Sequence, residues 1–175
     1  MQPTLDIRMA VPADVDRLAE LARRTFDAAF AEFNTGANMA AYMDTAFSRE
    51  QLLSELEDSA STFIWAEQTG IPAGYAKLRR GTMRECVSGP KPVELERMYA
   101  EIDQIGAGVG KTLLHTAIKI AQSEGFQTMW LGVWKHNERA IEFYTRQGFV
   151  AVGDHPFMLG AEKQTDNIMQ LDLRC

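Results

Sequence analysis

The chain has 175 residues, enough for one domain with a sizeable core. Hydrophobic residues make up 46% and charged residues 24%, an ordinary soluble composition, and no apolar run approaches the ~18–20 residues of a membrane span. The formal net charge of -6 argues against general nucleic-acid binding, which favours a basic face, and is compatible with a cationic small molecule, although mild acidity also serves solubility by itself.

The start, Met-Gln-Pro-Thr-Leu-Asp, lacks the basic-then-apolar pattern of a secretion signal, so a cytoplasmic protein is expected. No repeat, low-complexity tract or linker interrupts the chain, and residues 1–175 read as one domain. Leu5 to Met9 alternates and predicts an opening strand. Pro12 sits at a helix start, and Val15, Leu18, Leu21, Ala22 and Phe26 recur at helical spacing over Asp14 to Phe30. Asn34 to Asn38 reads as a break, and a second helical region covers about Met39 to Asp58. Inside it Ser48-Arg-Glu-Gln51 is a capping box, so a new helix begins at Arg49.

Thr62 to Glu67 and Gly74 to Arg79 read as a hairpin about Gly70-Ile-Pro72. A polar loop, Gly81 to Pro92, leads to a strand over Val93 to Ala100. A helix from Gly108 to Ser123 carries the core stripe Leu113, Leu114, Ala117, Ile118 and Ala121, and Gly125 closes it. Thr128 to Val133 is an apolar strand, and a short helix runs from Asn137 to Gln147. Val150 to Leu159 and Ile168 to Leu173 are the last strands, joined by a polar loop over Gly160 to Asp166, where Asp166 suits an Asx-type turn. This order mixes antiparallel meanders with one strand–helix–strand crossover, and predicts an α/β sheet with helices on both faces.

The richest segment runs from Glu94 to Leu114, where a strand enters a glycine-rich turn and the turn opens a helix. Such a turn leaves backbone N–H groups unshielded at the positive end of a helix dipole, which suits a phosphate. A nucleotide-binding loop of the pattern G-x-x-x-x-G-K-S/T fails at Ile105, where its first glycine belongs. The dinucleotide pattern G-x-G-x-x-G fails at Lys111, where its third glycine belongs.

The segment resembles instead the acyl-CoA pyrophosphate loop of the GNAT superfamily of N-acetyltransferases, Q/R-x-x-G-x-G/A. Gly108-Val109-Gly110 matches its second half, while Ile105 replaces the usual Gln or Arg. A second segment, Trp130 to Phe149, resembles the signature V-x-x-x-N-x-x-A-x-x-F-Y-x-x-x-G-F of that family. The match falls at Val133, Asn137, Ala140, Phe143, Tyr144, Gly148 and Phe149. The tail from Gly153 to Met169, with its Phe-x-Leu-Gly and Gln-Thr-Asp elements, looks like the last hairpin of bacterial spermidine/spermine acetyltransferases of the Pai type.

The resemblance implies a GNAT fold: a mixed, mostly antiparallel sheet of about seven strands with helices on both faces. It implies transfer of an acetyl group from acetyl-CoA, as cosubstrate, to a primary amine such as a polyamine, by direct attack in a ternary complex. The pyrophosphate is then expected on the amides of Gly106, Ala107, Gly108, Val109, Gly110 and Lys111. Main-chain groups along Met98, Tyr99 and Ala100 are expected to pair with the pantetheine arm, the Met98 N–H polarising the thioester carbonyl. Lys111 and Arg139 are candidates for added positive charge, although each also suits a solvated helix face.

Asn137 is implied to contact the pantetheine arm, and it also suits a helix cap. Tyr144 is implied to protonate the leaving thiolate, and it also suits a core aromatic. An amine of pKa ~10 must lose a proton before it attacks. Glu94 and Glu96 are the candidate bases, sharing one strand face with Met98 and Ala100 by the two-residue period; both also suit exposed strand positions.

His115, His136 and His155 form no metal-binding pattern, and no metal is expected; His155 lies near the expected substrate side. Cys86 and Cys175 have no metal-ligand spacing, and a bridge between them is not expected. No nucleic-acid or membrane partner is expected, and the chain is expected to be a monomer or homodimer. A protein N-acetyltransferase, a CoA-binding regulator without catalysis and a nucleotide hydrolase are the rival readings.

Overall fold

The computed structural model describes residues 4–174. The first strand, β1, is Leu5–Met9, and a 3-10 turn over Pro12–Asp14 leads into α1, Val15–Phe30. The proline suits the first turn because its missing N–H has no partner there anyway. Asp14 secures this junction. Its carboxylate accepts from the Val11 N–H at 2.8 Å and takes both arms of Arg8 at 2.8 Å each. The α1 stripe Val15, Leu18, Leu21, Ala22, Phe26 and Phe30 is buried, as the helical spacing predicts.

Next come α2, Gly36–Ala46, and α3, Arg49–Glu57. Each starts on a side-chain cap: Thr35 Oγ1 accepts from the Asn38 N–H, and Ser48 Oγ from the Gln51 N–H. The predicted break at Asn34 to Asn38 is thus partly helix, because Thr35 supplies the cap that permits an earlier start. Strands β2, Ser61–Gln68, and β3, Ile71–Arg79, form the predicted hairpin with Thr69 and Gly70 at its tip.

The chain continues through β4, Pro92–Ala100, α4, Val109–Ser123, β5, Thr128–Trp134, and α5, Glu138–Arg146. It ends with β6, Val150–Leu159, and β7, Glu162–Asp172. The polar stretch predicted as a loop over Gly160 to Asp166 is mostly strand. Only Gly160 and Ala161 form the turn, and Asp166 pairs with His155 on one side and Trp134 on the other. Its polar residues suggested a loop because they face solvent and a cavity rather than the core.

All seven strands join one sheet in the order β1-β2-β3-β4-β5-β7-β6. Every pairing is antiparallel except β4 with β5. Helices α4 and α5 cover one face, packing on Val93, Leu95, Met129 and Leu131; α1, α2 and α3 cover the other, around Phe63, Trp65 and Tyr75. The fold is the α/β architecture that the sequence implies, a mixed, mostly antiparallel seven-stranded sheet with helices on both faces.

Two features of β4 open the sheet at its centre. First, its pairing with β5 covers only Pro92, Val93 and Glu94, opposite Thr128, Met129 and Trp130. Beyond Glu94 the two strands part and leave a wedge. Second, the register against β3 slips between Lys77 and Leu78, so Glu96 is an extra residue in a bulge. The bulge inverts the alternation. Val93 and Leu95 face α4, and so do Met98 and Ala100, while Tyr99 packs toward α1. Glu94 therefore lies on the opposite face from Met98 and Ala100, contrary to the shared face that a strict two-residue period predicts.

Candidate active site

The wedge between β4 and β5 is the centre of the site. The Glu101 N–H donates to the Ala73 carbonyl of the neighbouring chain segment at 2.9 Å. Alternation then turns the main-chain groups of Tyr99 and Arg97 toward β3, and those of Met98 and Ala100 toward the wedge. There β5 has already diverged, so these groups have no strand partner.

Two cavities meet at this wedge. One, of about 380 Å³, lies between the β4 end, the glycine turn and α5, and is lined by Met98, Tyr99, Ala100, Gly106, Gly108, Gly110 and Lys111 among others. The second, of about 340 Å³, lies between β4, β5, β6, β7 and the helices α1 and α2; α1 borders the first cavity too, through Thr25, Ala28 and Ala29. Met98, Tyr99, Asn137, Ala140 and Tyr144 line both.

The glycine turn presents an unfilled row of donors. Gly106 and Gly108 adopt φ values of +87° and +90°, a region that side chains disfavour. Among the described residues, the N–H groups of Gly106, Gly108, Val109, Gly110 and Lys111 have no acceptor. They stand at the start of α4, where the dipole adds positive character. Ala107 differs: its N–H already donates to the Gln104 carbonyl at 3.1 Å. Val109 contributes only its N–H, since its side chain is buried against Gly74 of β3. Arg139, at the start of α5, lines the same cavity.

Asn137 does two things at once. Its Oδ1 caps α5 by accepting the Ala140 N–H at 3.2 Å, and its side chain borders both cavities. Its amide nitrogen has no protein partner among the described residues. Tyr144, two turns along α5, is buried, and burial pushes its phenol well above the ordinary value. The hydroxyl therefore stays protonated at neutral pH.

The two strand glutamates have different surroundings. Glu96 forms ion pairs with Lys77, which is 2% exposed, and with Arg79 at 3.2 Å. Lys77 also binds Glu55 at 2.9 Å, and Arg97 binds Glu55 at 2.8 Å, so Glu96 belongs to a charge network under α3. Among the described residues no cation forms an ion pair with Glu94, and Arg79 and Arg84 act on it only from farther off. Its carboxylate accepts one bond, from the Thr82 hydroxyl at 2.6 Å. Burial raises its pKa, and the Thr82 bond opposes that rise. Both glutamates border the second cavity.

That cavity contains His155, which the sequence placed near the substrate side, and two residues that the sequence did not single out for the site, Asp166 and Arg84. Asp166 borders it beside His155 and Gly132. Burial pushes the Asp166 carboxyl up to about 6, against the influence of Arg84. Burial and Arg84 both lower His155. Alternation along β7 from Ile168 was the one sequence signal for Asp166; Arg84, in the loop before β4, had none.

Among the described residues no group of three His, Cys, Asp or Glu side chains is placed to hold a metal ion. His115 bonds Gln147 at 3.2 Å, away from both cavities. Cys86 is a free thiol, and Cys175 lies outside the described residues.

A sequence model of the Acetyltransferase (GNAT) family matches residues 16–149. An uncharacterized N-acetyltransferase of Mycobacterium tuberculosis is 32% identical over 160 residues, covering 91% of this chain and 98% of that one. A spermidine N(1)-acetyltransferase of Thermoplasma acidophilum is 27% identical over 150 residues, covering 83% of this chain and 88% of that one. Among solved structures, the PaiA N-acetyltransferase from Thermoplasma acidophilum in complex with coenzyme A superposes with a TM-score of 0.79. It is 24% identical, covering 97% of this chain and 99% of that one.

Proposed function

The chain belongs to the GNAT family of acetyltransferases and is an acetyl-CoA-dependent N-acetyltransferase, and from that premise we propose that its acceptor is a small primary amine, acetylated by direct attack in a ternary complex. One observation carries this reading: two cavities meet at a strand wedge and share Asn137 and Tyr144 in their walls. One cavity is suited to a thioester carrier and the other to an acceptor. The name of the Thermoplasma spermidine acetyltransferase supports a polyamine as one member of the acceptor class.

The carrier's diphosphate suits the free amides from Gly106 to Lys111, with Arg139 and Lys111 adding charge. Its pantetheine arm suits the wedge, where Met98 and Ala100 offer the strand pairing that β5 does not make. The Asn137 amide nitrogen is left to bind the arm while Oδ1 caps the helix. The Met98 N–H is the candidate donor for the oxyanion, a role worth a few kcal/mol in other enzymes.

Glu94 is preferred to Glu96 as the base. Glu96 is held by two cations, whereas Glu94 has a single neutral donor and a pKa raised toward the working range of a base. Glu94 takes one proton of the incoming ammonium, the amine nitrogen bonds to the acetyl carbon and releases its second surplus proton to solvent, and the C–S bond breaks. Tyr144 donates its hydrogen bond to the leaving sulfur. A thiolate of pKa ~8.5 is a weak base beside a phenol pushed above its usual ~10. Stabilising the developing charge is therefore the main part of that role, with the thiol completed from solvent.

Thiol release from acetyl-CoA with small amines and with a peptide amine, measured side by side, tests the acceptor class. Saturable turnover with small amines is expected. Turnover of the peptide alone would reject the reading.

A further inference from the structure

The acceptor cavity contains a cation that no described residue meets in an ion pair, although the carboxyls of Asp166 and Glu94 feel it from farther off. Among the described residues, every arginine pairs with a carboxylate except Arg139 and Arg84. Arg139 borders the carrier cavity, where a phosphate would answer it. Arg84 borders the acceptor cavity, and its Nε is buried with no acceptor.

Arg84 is not a loose surface arm. Its guanidinium carbon lies 5.5 Å from the Trp130 ring centre. Its loop is pinned on several sides. Val87 is buried with Trp130 and Ile168, the Ser88 N–H donates to Gln170 at 3.1 Å, and Thr82 bonds Glu94 at 2.6 Å. Cys86 Sγ lies 2.8 Å from the point where a β-carbon on Gly153 would stand, so the loop packs tightly on β6. A charge on a loop packed this closely, placed over an indole and lacking an acceptor, is suited to an anion.

We propose that Arg84 binds an anionic group on the acceptor, so that the amine acetylated here carries a carboxylate at its other end. The inference rests on the transferase reading and turns it away from polyamines. Among the described residues the guanidinium makes no hydrogen bond, and its N–H fork matches a carboxylate. Glu94 and Asp166 border the same cavity without pairing with Arg84, and they suit the ammonium end. A diamine would instead bring a second positive charge beside Arg84, which disfavours it.

Matched acceptors test this. Thiol release from acetyl-CoA is compared for butylamine, 1,4-diaminobutane and 4-aminobutanoate, and for the corresponding six-carbon set. The wild-type enzyme is expected to favour the amino acid in each set by about tenfold or more in kcat/KM. Arg84→Gln brings that ratio close to one, and Arg84→Glu inverts it toward the diamine, with folding followed by melting temperature. A wild-type preference for diamines, or a ratio that survives Arg84→Gln, would overturn the proposal. So would preference for 2-aminoethyl phosphate over β-alanine, which would make the anion a phosphate. These outcomes leave amine acetylation standing. Absence of thiol release with every amine, from protein that binds CoA, would overturn the transferase reading and this inference with it.

Discussion

A carboxylate oxygen of Asp166 lies 3.1 Å from the point where a β-carbon on Gly132 would stand. The missing side chain on β5 gives the β7 carboxyl its place in the floor of the acceptor cavity. Gly132→Ala is therefore expected to fold, at a cost of about 1 kcal/mol. It should displace the carboxyl and raise the KM for the amine several-fold while leaving acetyl-CoA affinity alone. Steady-state kinetics in both substrates checks this; an unchanged amine KM would remove Asp166 from the acceptor site.

The same carboxyl makes stability depend on pH. Its pKa is about 6 in the folded chain against an ordinary 3.8, so the folded state holds the proton longer than the unfolded state. The site costs nothing below about pH 4, destabilises the fold increasingly between about pH 4 and 6, and holds that full cost above 6. Asp166→Asn is expected to melt with the wild type near pH ~4 and above it near pH ~8. The gain is at most about 3 kcal/mol, reduced by solvent screening. A melting difference that does not change with pH would contradict this.

Asn137 separates capping from binding. Asn137→Ala loses the bond to the Ala140 N–H and is expected to cost ~1 kcal/mol of stability. Asn137→Ser keeps a capping oxygen and is expected to melt close to the wild type. Both variants lose the amide nitrogen, so both should weaken acetyl-CoA binding by about tenfold. Calorimetric titration alongside thermal melts distinguishes the two roles; a serine variant with full affinity would make Asn137 a cap only.

The glycine turn is open to a conformational test. A β-carbon on Gly108 would meet nothing within 4 Å, yet its φ of +90° strains any side chain. Gly108→Ala is expected to cost about 1 kcal/mol and to distort the row of donors. The KM for acetyl-CoA should rise more than kcat falls. Equal loss in both, without weaker binding, would place the effect elsewhere.

Much of the fold and site was legible in the sequence. Helical spacing marked α1 and α4, and the capping box at Ser48 marked α3. The residues of the glycine turn and of α5 carried the resemblance to the family and the positions of Asn137 and Tyr144. The rest depends on tertiary pairing. The β7 residues from Glu162 to Asp166 read as a loop because their polarity is that of a cavity-lined strand. The bulge at Glu96 is set by the register against Lys77 and Leu78, and it alone decides which face Glu94 occupies. Arg84 lies in a polar loop, and only the packing of Val87 beneath Trp130 brings it into the acceptor cavity.

Catalysis as proposed needs Glu94 and Tyr144 to act from the two sides of the wedge. Thiol release at saturating acetyl-CoA and amine, for wild type, Glu94→Gln and Tyr144→Phe, tests this most directly, with CoA binding measured on each protein. Each variant is expected to bind CoA and to lose about a hundredfold or more in kcat. A variant that turns over at the wild-type rate would contradict the role given to that residue, and two such variants would contradict the mechanism.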